Sequence, residues 1–563
     1  MEIYPLKINF YLNGEAIIKN DKPYYITNNW ISEDQVAKLN YVYDDTAKCY
    51  YFFSLDRTPS VLTFDKDYNF TLKDVAYTDG PYLDMNKTST TLSLSGTTGE
   101  VQITASADIF KSNDALLNEG RFIRIAHKGI WGVAQISYFI DAKNVKANTK
   151  VAFNGTEATK EFKLGAWGAE QGYPSMATIF SGRMYYGVTN KNKKTIWISK
   201  PSDYTNFSPT TRINENNVIS DIIAEDNSIT LSIPRGKNIL WLGSNKDNVL
   251  VGSQEGVFTI LPFNIEEPIS PFNYTVEELN SQKNSRYMVS TDFLTFFVDW
   301  HRENIFSISV DKDKLLSLSQ INNWSLHLFS SKIKDMLYLD YPSKVLCVLM
   351  EDGTLVMGHI NYNDEYLNYS WSTCFLSGAD TKITAMSTSY DEGNQYLWLA
   401  TRRKFRGEIT NFIEVIKFDS LKNLYIENST KPIYLDLYVS KKMKNNIITD
   451  LALFEGETLT IITVDGSFLG NFTVKDGAIT VGNNIYQDSE VFAGYCFDSI
   501  YQTPYLQKLD EEVNEVKIDK VNLVAYKSSH IDILNKKETT LQKNILTEKS
   551  EGYQNITLNI NGN

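Results

Sequence analysis

Apolar residues along the chain fall in short runs or alternate with polar ones, and turn residues bound nearly every run. Long stretches with helical spacing are scarce. Val345 to Met350 is an apolar run, followed by Glu351-Asp352-Gly353-Thr354 and then Leu355-Val356-Met357. Asp-Gly between two such runs predicts a hairpin, because both residues tolerate a positive φ. The device returns at Ile461-Ile462-Thr463-Val464 with Asp465-Gly466. It appears again where Thr473-Val474 and Ile479-Thr480-Val481 flank Asp476-Gly477. Asn248 to Leu261 predicts another hairpin, turning at Glu255-Gly256.

A longer period overlies the short one. Units of strand, loop, strand, polar turn and strand recur at Ser175 to Ile198, Ile239 to Leu261, Tyr287 to Ile308, Lys334 to Met357 and Ile383 to Val415. Leu39 to Phe64 reads as an earlier one. The later spacing of about 45–50 residues suits one four-stranded propeller blade per unit, for about six blades. The expected fold is all-β: an irregular β-propeller-like core with inserted and C-terminal β-sandwich-like modules. Its expected divisions are an N-terminal β region and first blade over 1–95, an inserted β module over 96–165, blades over 166–420 and a C-terminal β module over 421–563.

Composition supports the β reading. Aromatic residues make up 13% of the chain, led by 34 Tyr and 29 Phe, side chains that fit half-buried pleated surfaces. The formal net charge of -13 argues against a protein that grips DNA by its phosphates. The four cysteines, Cys49, Cys347, Cys374 and Cys496, form no CxxC pair and imply neither a disulfide framework nor a zinc site. The start Met1-Glu2-Ile3-Tyr4-Pro5 has no basic region followed by an apolar one, so no secretory signal is expected and synthesis is placed in a cytoplasm. No apolar run approaches the ~18 residues that a bilayer-spanning helix needs.

The chemistry-bearing residues form no known site. Five histidines, His127, His301, His327, His359 and His530, fall outside HExxH or HxH patterns and read as structural residues. Asp65-Lys66-Asp67-Tyr68-Asn69 opens like a calcium loop, but Phe70 stands at the glycine position and Ala76 where a bidentate Glu is needed, which leaves a solvated turn. Asp311-Lys312-Asp313 fails sooner. Neither GxxxxGK[ST] nor GxSxG occurs, and pairs such as Asp44-Asp45 and Glu511-Glu512 read as solvated surface. Two basic clusters, Arg402-Arg403-Lys404-Phe405-Arg406 and Lys441-Lys442-Met443-Lys444, read as solvated or as pairing with acid on a neighbouring subunit, ahead of contact with nucleic acid. No catalytic residue, metal ligand or cofactor is expected, and the chain reads as a non-enzyme.

Several segments resemble the tail nozzle, or tail tubular protein B, family of short-tailed bacteriophages. Gly80-Pro81-Tyr82, with Asn86 behind it, looks like the family's GPY segment. Phe110 followed by Gly120-Arg121 to Ile125, with Trp131-Gly132 beyond, resembles its F…G-R-hydrophobic unit. The fullest match runs from Gly172-Tyr173-Pro174 through Arg183, Gly187, Trp197 and Ser199 to Asp203, Asn206 and Phe207. Trp241 with Gly252, and Asp352-Gly353 with Trp371, are similar to downstream blade motifs. A last unit runs from Leu453 to Thr458 and on through Asp465-Gly466 and Asp476-Gly477 to Gly494-Tyr495. Each motif is weak alone, because Gly, Trp and Asp-Gly punctuate any β protein. Their order and spacing, over roughly residues 20 to 520, are the specific part. The chain departs from the family in a shorter region before its first motif and in smaller insertions.

The resemblance implies a homohexameric ring at the distal end of a virion tail. The ring would sit below an adaptor of the tail tubular protein A type, with tail fibres near it and double-stranded DNA passing through without sequence-specific binding. An acidic lumen would suit that passage, because carboxylates repel phosphate and keep the duplex mobile. Two other readings compete: a β-propeller that binds or cleaves carbohydrate on a host surface, with an aromatic- and carboxylate-lined pocket, and a monomeric cytoplasmic scaffold.

Overall fold

The computed structural model describes all residues except 13–14, 111–119, 214–217, 220–221, 235–236, 311–315, 342, 363–366, 379, 392–393, 406–407, 418–434, 465–466, 483–488, 498–499, 502–519, 527–532, 535–539, 543–552 and 560–563. The Asp311-Lys312-Asp313 turn, Asp465-Gly466, Glu511-Glu512, Arg406 and His530 lie outside the described residues. The chain is all-β. Among the described residues its helices are one turn over Glu33–Ala37 and two short 3-10 segments. Contacts divide it into Met1–Phe497 and Asp498–Asn563.

Within the larger unit, each of the six recurring sequence units is an antiparallel meander. The first runs through Asn40–Asp44, Cys49–Ser54, Arg57–Phe64 and Phe70–Asp74, each strand bonded to the next. The second comprises Met176–Phe180, Arg183–Gly187, Thr195–Ile198 and Ile229–Ser232; the third Ile239–Ser244, Val249–Ser253, Val257–Leu261 and Thr275–Asn280. The fourth comprises Asn284–Ser290, Leu294–Asp299, Ile305–Val310 and Leu316–Gln320; the fifth Ile333–Leu339, Val345–Met350, Leu355–Tyr362 and Leu367–Cys374. The sixth has three described strands, Lys382–Asp391, Asn394–Phe405 and Glu408–Lys417. The first strands pack side by side in chain order, from Asn40–Asp44 to Lys382–Asp391.

Sheet stacking explains the sequence pattern. Val345–Met350 and Leu294–Asp299 are buried at every position, because each runs second in its meander and is covered on both faces. The last strands, such as Leu316–Gln320, lie at an edge and are mostly accessible. Neighbouring meanders share cores. Ile196, Leu231, Val251 and Ile260 join the second to the third, and Phe296, Val298, Leu346 and Val348 join the fourth to the fifth.

An eight-stranded sheet, built mainly between Leu92 and Leu164, interrupts the series after the first meander. Its core holds Val101, Ile103, Ile123, Ile125, Ile136 and Val145. Two short strands from inside the second unit, Arg212–Ile213 and Val218–Ile219, also join it, through the pairing of Trp131 with Ile219. After the sixth meander a four-stranded sheet forms in the order Asp436–Lys442, Glu490–Tyr495, Thr458–Thr463, Phe468–Thr473 over its own core of Met443, Phe454, Leu459 and Ile461. In the smaller unit Lys520–Tyr526 pairs with Tyr553–Asn559, and Ile533–Leu534 with Thr540–Gln542.

Candidate functional site

Two segments that lie far apart in sequence, around Gly80 and around Phe207, are joined by backbone hydrogen bonds. The Gly80-Pro81 peptide is cis and Gly80 has φ +61, a conformation open to glycine. A Cβ there would sit 2.9 Å from the Tyr82 ring and 3.1 Å from the Phe207 carbonyl oxygen. The Phe207 amide donates to the Asp79 carbonyl at 2.8 Å, and the Thr78 amide donates to that of Thr205 at 3.0 Å. Asp203 folds its own turn by accepting from the Thr205 amide and hydroxyl. Trp167, which follows the Phe162–Leu164 strand of the interrupting sheet, stands between these segments, 4.9 Å from the Phe207 ring, 5.0 Å from that of Tyr77 and 5.8 Å from that of Trp197. Tyr82 donates its hydroxyl to the fully buried Asp79. Burial drives the hydroxyls of Tyr77, Tyr82 and Tyr186 far above their ordinary range.

The remaining signature residues are fasteners. Arg183 is buried and donates from Nη1 to the carbonyls of Ser199 and Asn227 and from Nη2 to that of Glu225, each at 2.8 Å. Burial lowers its pKa. Ser199 Oγ accepts from the Met184 amide at 3.0 Å. The Tyr173 amide donates to Leu55 at 3.0 Å, and Asn40 Nδ2 donates to the Ser175 carbonyl at 2.7 Å, so the Gly172-Tyr173-Pro174 segment ties the second meander to the first. Gly187 leaves room for Leu242, whose Cδ1 would be 2.8 Å from an added Cβ. Trp241 lies across Gly252, its cross-strand partner, and Trp371 lies across Gly358 in the same way. The Trp371 indole donates to the Ile321 carbonyl at 2.9 Å. Burial works against the charge of Asp352, but hydrogen bonds from Ser330, Thr354 and Ser331 outweigh it and hold the carboxyl below its ordinary range. Gly353, with φ +91, brings this turn against Lys382 of the sixth meander.

The signature thus comes together as packing and clasps rather than as a cleft with converging reactive groups. Among the described residues no group of three or more His, Cys, Asp or Glu side chains is placed to hold a metal ion. His127 is buried, with Nε2 2.9 Å from the Glu157 carbonyl oxygen, whereas His301, His327 and His359 are exposed. The calcium-like turn already contains a cation. Lys19 Nζ donates to the carbonyls of Asp67 and Tyr68 at 3.2 and 3.0 Å and to Asn69 Oδ1 at 2.5 Å.

Accessible polar groups also gather where the first strands meet. Tyr41 keeps 65% of its surface accessible, yet burial within surrounding protein raises its hydroxyl pKa, with Asp335 of the fifth meander adding to the shift. Burial raises the Asp335 carboxyl despite Arg286 and Lys334 nearby. Arg286 of the fourth meander is 3.5 Å from the Ala37 carbonyl oxygen.

One basic cluster requires a correction. Its basic run predicts a solvated Arg403 or one facing another subunit, but the side chain is only 1% exposed. It donates from Nε and Nη2 to Glu414 at 2.6 Å each and from Nη2 to Asp436 at 3.1 Å. This triad fastens the sixth sheet to the one after it. Arg402 and Lys404 do point to solvent. Strand alternation was the available signal, because Arg403 shares its face with buried Leu397, Leu399 and Thr401.

No protein-family model and no curated protein matches the chain. Among solved structures it is similar to "Crystal structure of human WBSCR16", at 11% identity over 58% of this chain and 87% of that one, with a TM-score of 0.26. A likeness that slight carries no argument about fold or function.

Proposed function

We propose that the chain is a structural subunit of a short-tailed phage nozzle. It forms a homohexameric ring at the distal end of the tail, below an adaptor ring, and continues the channel through which double-stranded DNA leaves. It is made in the host bacterial cytoplasm, ends in the virion and performs no catalysis. The six meanders are its propeller blades, and first strands that pack side by side in chain order, with Arg286 reaching the Ala37 carbonyl, favour strands arranged about a common axis.

The observation that carries the reading is the backbone pairing of the segment that leads into Gly80-Pro81-Tyr82 with Asp203 to Phe207, through the Phe207 amide on the Asp79 carbonyl and the Thr78 amide on that of Thr205. These segments carry the resemblance, and they are remote in sequence. A chance scatter of Gly, Pro and aromatic residues gives no reason for them to pack on one another. Their roles are also those a rigid conduit needs. They clamp the first meander, the interrupting sheet and the second meander, so that force along the tail meets few soft joints. A ring of identical chains then needs a heterologous contact whose rotation closes, and an acidic lumen lets the duplex slide.

The test is to purify the particles whose genome encodes the chain, identify the protein in them by mass spectrometry and locate it with gold-labelled antibody. The reading expects labelling at the tail tip. A protein that is absent from particles, or that labels the head, overturns it.

A further inference from the structure

The loop joining the third and fourth strands of the third meander presents large apolar side chains to solvent from a rigid frame. Phe263 is 83% exposed, Ile265 70% and Phe272 66%. The frame is internal. Asn273 is buried and accepts from the Asn264 amide at 2.7 Å. Its Nδ2 donates to the carbonyls of Asn264, Glu267 and Pro268 at 3.1 to 3.2 Å. Ile269 anchors the loop in the core below. Exposed aromatic groups held in place by buried hydrogen bonds lose little entropy when they dock, which is the property of a preorganised contact. Glu266 and Glu267 are exposed on the same loop, with no ion pair among the described residues.

The sixth sheet offers the complement. Lys382 and Arg402 are direct cross-strand partners, so two like charges face each other across an antiparallel pair. Neither has a carboxylate partner among the described residues, and Lys404 reaches Asp380 only at 3.5 Å. These cations border a cavity of about 420 Å³. Lys404 pairs with Ile409, Ala400 with Ile413 and Trp398 with Val415, so the same face continues as an accessible apolar strip. The repulsion between Lys382 and Arg402 is a standing cost that incoming carboxylates would relieve.

We propose that the 262–273 loop of one copy docks on this basic, half-apolar face of a second copy, with Glu266 and Glu267 opposite Lys382 and Arg402. The two patches are different surfaces of one chain, so the contact is head-to-tail and builds a ring where the rotation closes. The inference rests on the reading of the chain as a ring subunit. A bilayer is the less suitable occupant, because Glu266 and Glu267 are repelled by anionic lipid.

The test uses the full-length chain and sedimentation equilibrium. The paired reversals E266K/E267K and K382E/R402E should each weaken self-association by at least about tenfold, and combining all four should restore it to within roughly threefold. F263S/F272S should weaken it by a similar factor with no change in charge. Circular dichroism establishes that each variant is folded. A wild-type chain that associates while the reversals change nothing overturns the contact and leaves the ring reading standing. A four-fold variant that fails to recover overturns it as well. A chain that is monomeric at every concentration overturns the contact, and imaging of particles then decides the ring reading separately. Co-sedimentation with phosphatidylglycerol vesicles that F263S/F272S abolishes, with self-association intact, also overturns it and assigns the loop to a bilayer.

Discussion

Arg403→Met should be among the most damaging single changes in the chain. The arginine is 1% exposed and the side chains of Glu414 and Asp436 are 12% exposed. Removing its charge leaves two carboxylates facing each other in a largely dry joint between sheets. Breaking a buried pair in this way costs about 3–5 kcal/mol, most of it from the stranded partner charges. Arg403→Lys keeps a point charge but loses the planar fork that reaches both carboxylates, for a loss of about 1.5–3 kcal/mol. A triple variant, R403M with E414Q and D436N, removes the charges together and should recover most of the loss. Urea unfolding gives the overall loss, and hydrogen exchange on strands 382–417 and 436–442 locates it. A single variant within about 1 kcal/mol of wild type, the range of a surface pair, would refute the reasoning.

Three further outcomes are expected. Tyr82→Phe removes the hydroxyl that donates to buried Asp79 and should cost about 1.5–3 kcal/mol in urea unfolding, as for other hydrogen bonds to charged groups. Gly252→Ala places a Cβ 1.9 Å from the Trp241 indole and should cost at least about 1–3 kcal/mol, with a shift in tryptophan emission as the ring is displaced. Burial pushes the Tyr369 hydroxyl from 10.0 up to about 12. A raised folded pKa gives stability that is complete below the unfolded value and is lost as pH rises through the folded one, so denaturant midpoints should hold to about pH 10 and fall from there towards 12.

Local pattern made much of this fold legible in the sequence. Gly353 takes φ 91 in the hairpin its signal predicts, whereas Asp476 and Gly477, with φ of 51 and 69, reverse the chain through the single Lys475–Ala478 pair and the expected hairpin between Thr473-Val474 and Ile479-Thr480-Val481 does not form. The six recurring units are meanders because an apolar run bounded by turns specifies a strand and its reversal. The choice of distant partner was not legible. Thr473 pairs with Thr458, whereas Ile479–Thr480, beyond the same turn, pairs with Ile447–Ile448. A turn fixes where the chain reverses but not which ladder the next strand joins. Val218–Ile219 likewise joins a sheet formed earlier in the chain. The motif residues were visible as a pattern, but their meeting depends on distant backbone bonds such as that of the Phe207 amide to the Asp79 carbonyl. The exposed 262–273 loop went unread, because Phe263, Ile265 and Phe272 look like core residues until the fold turns them outward.

The most direct test of the central claim is an electron cryo-microscopy reconstruction of the tail on particles that contain this protein. The account predicts a six-fold ring at the distal tip, built from this chain and enclosing a bore wide enough for duplex DNA. A tail tip built without this chain, or this chain in any arrangement that leaves no central bore, would contradict it.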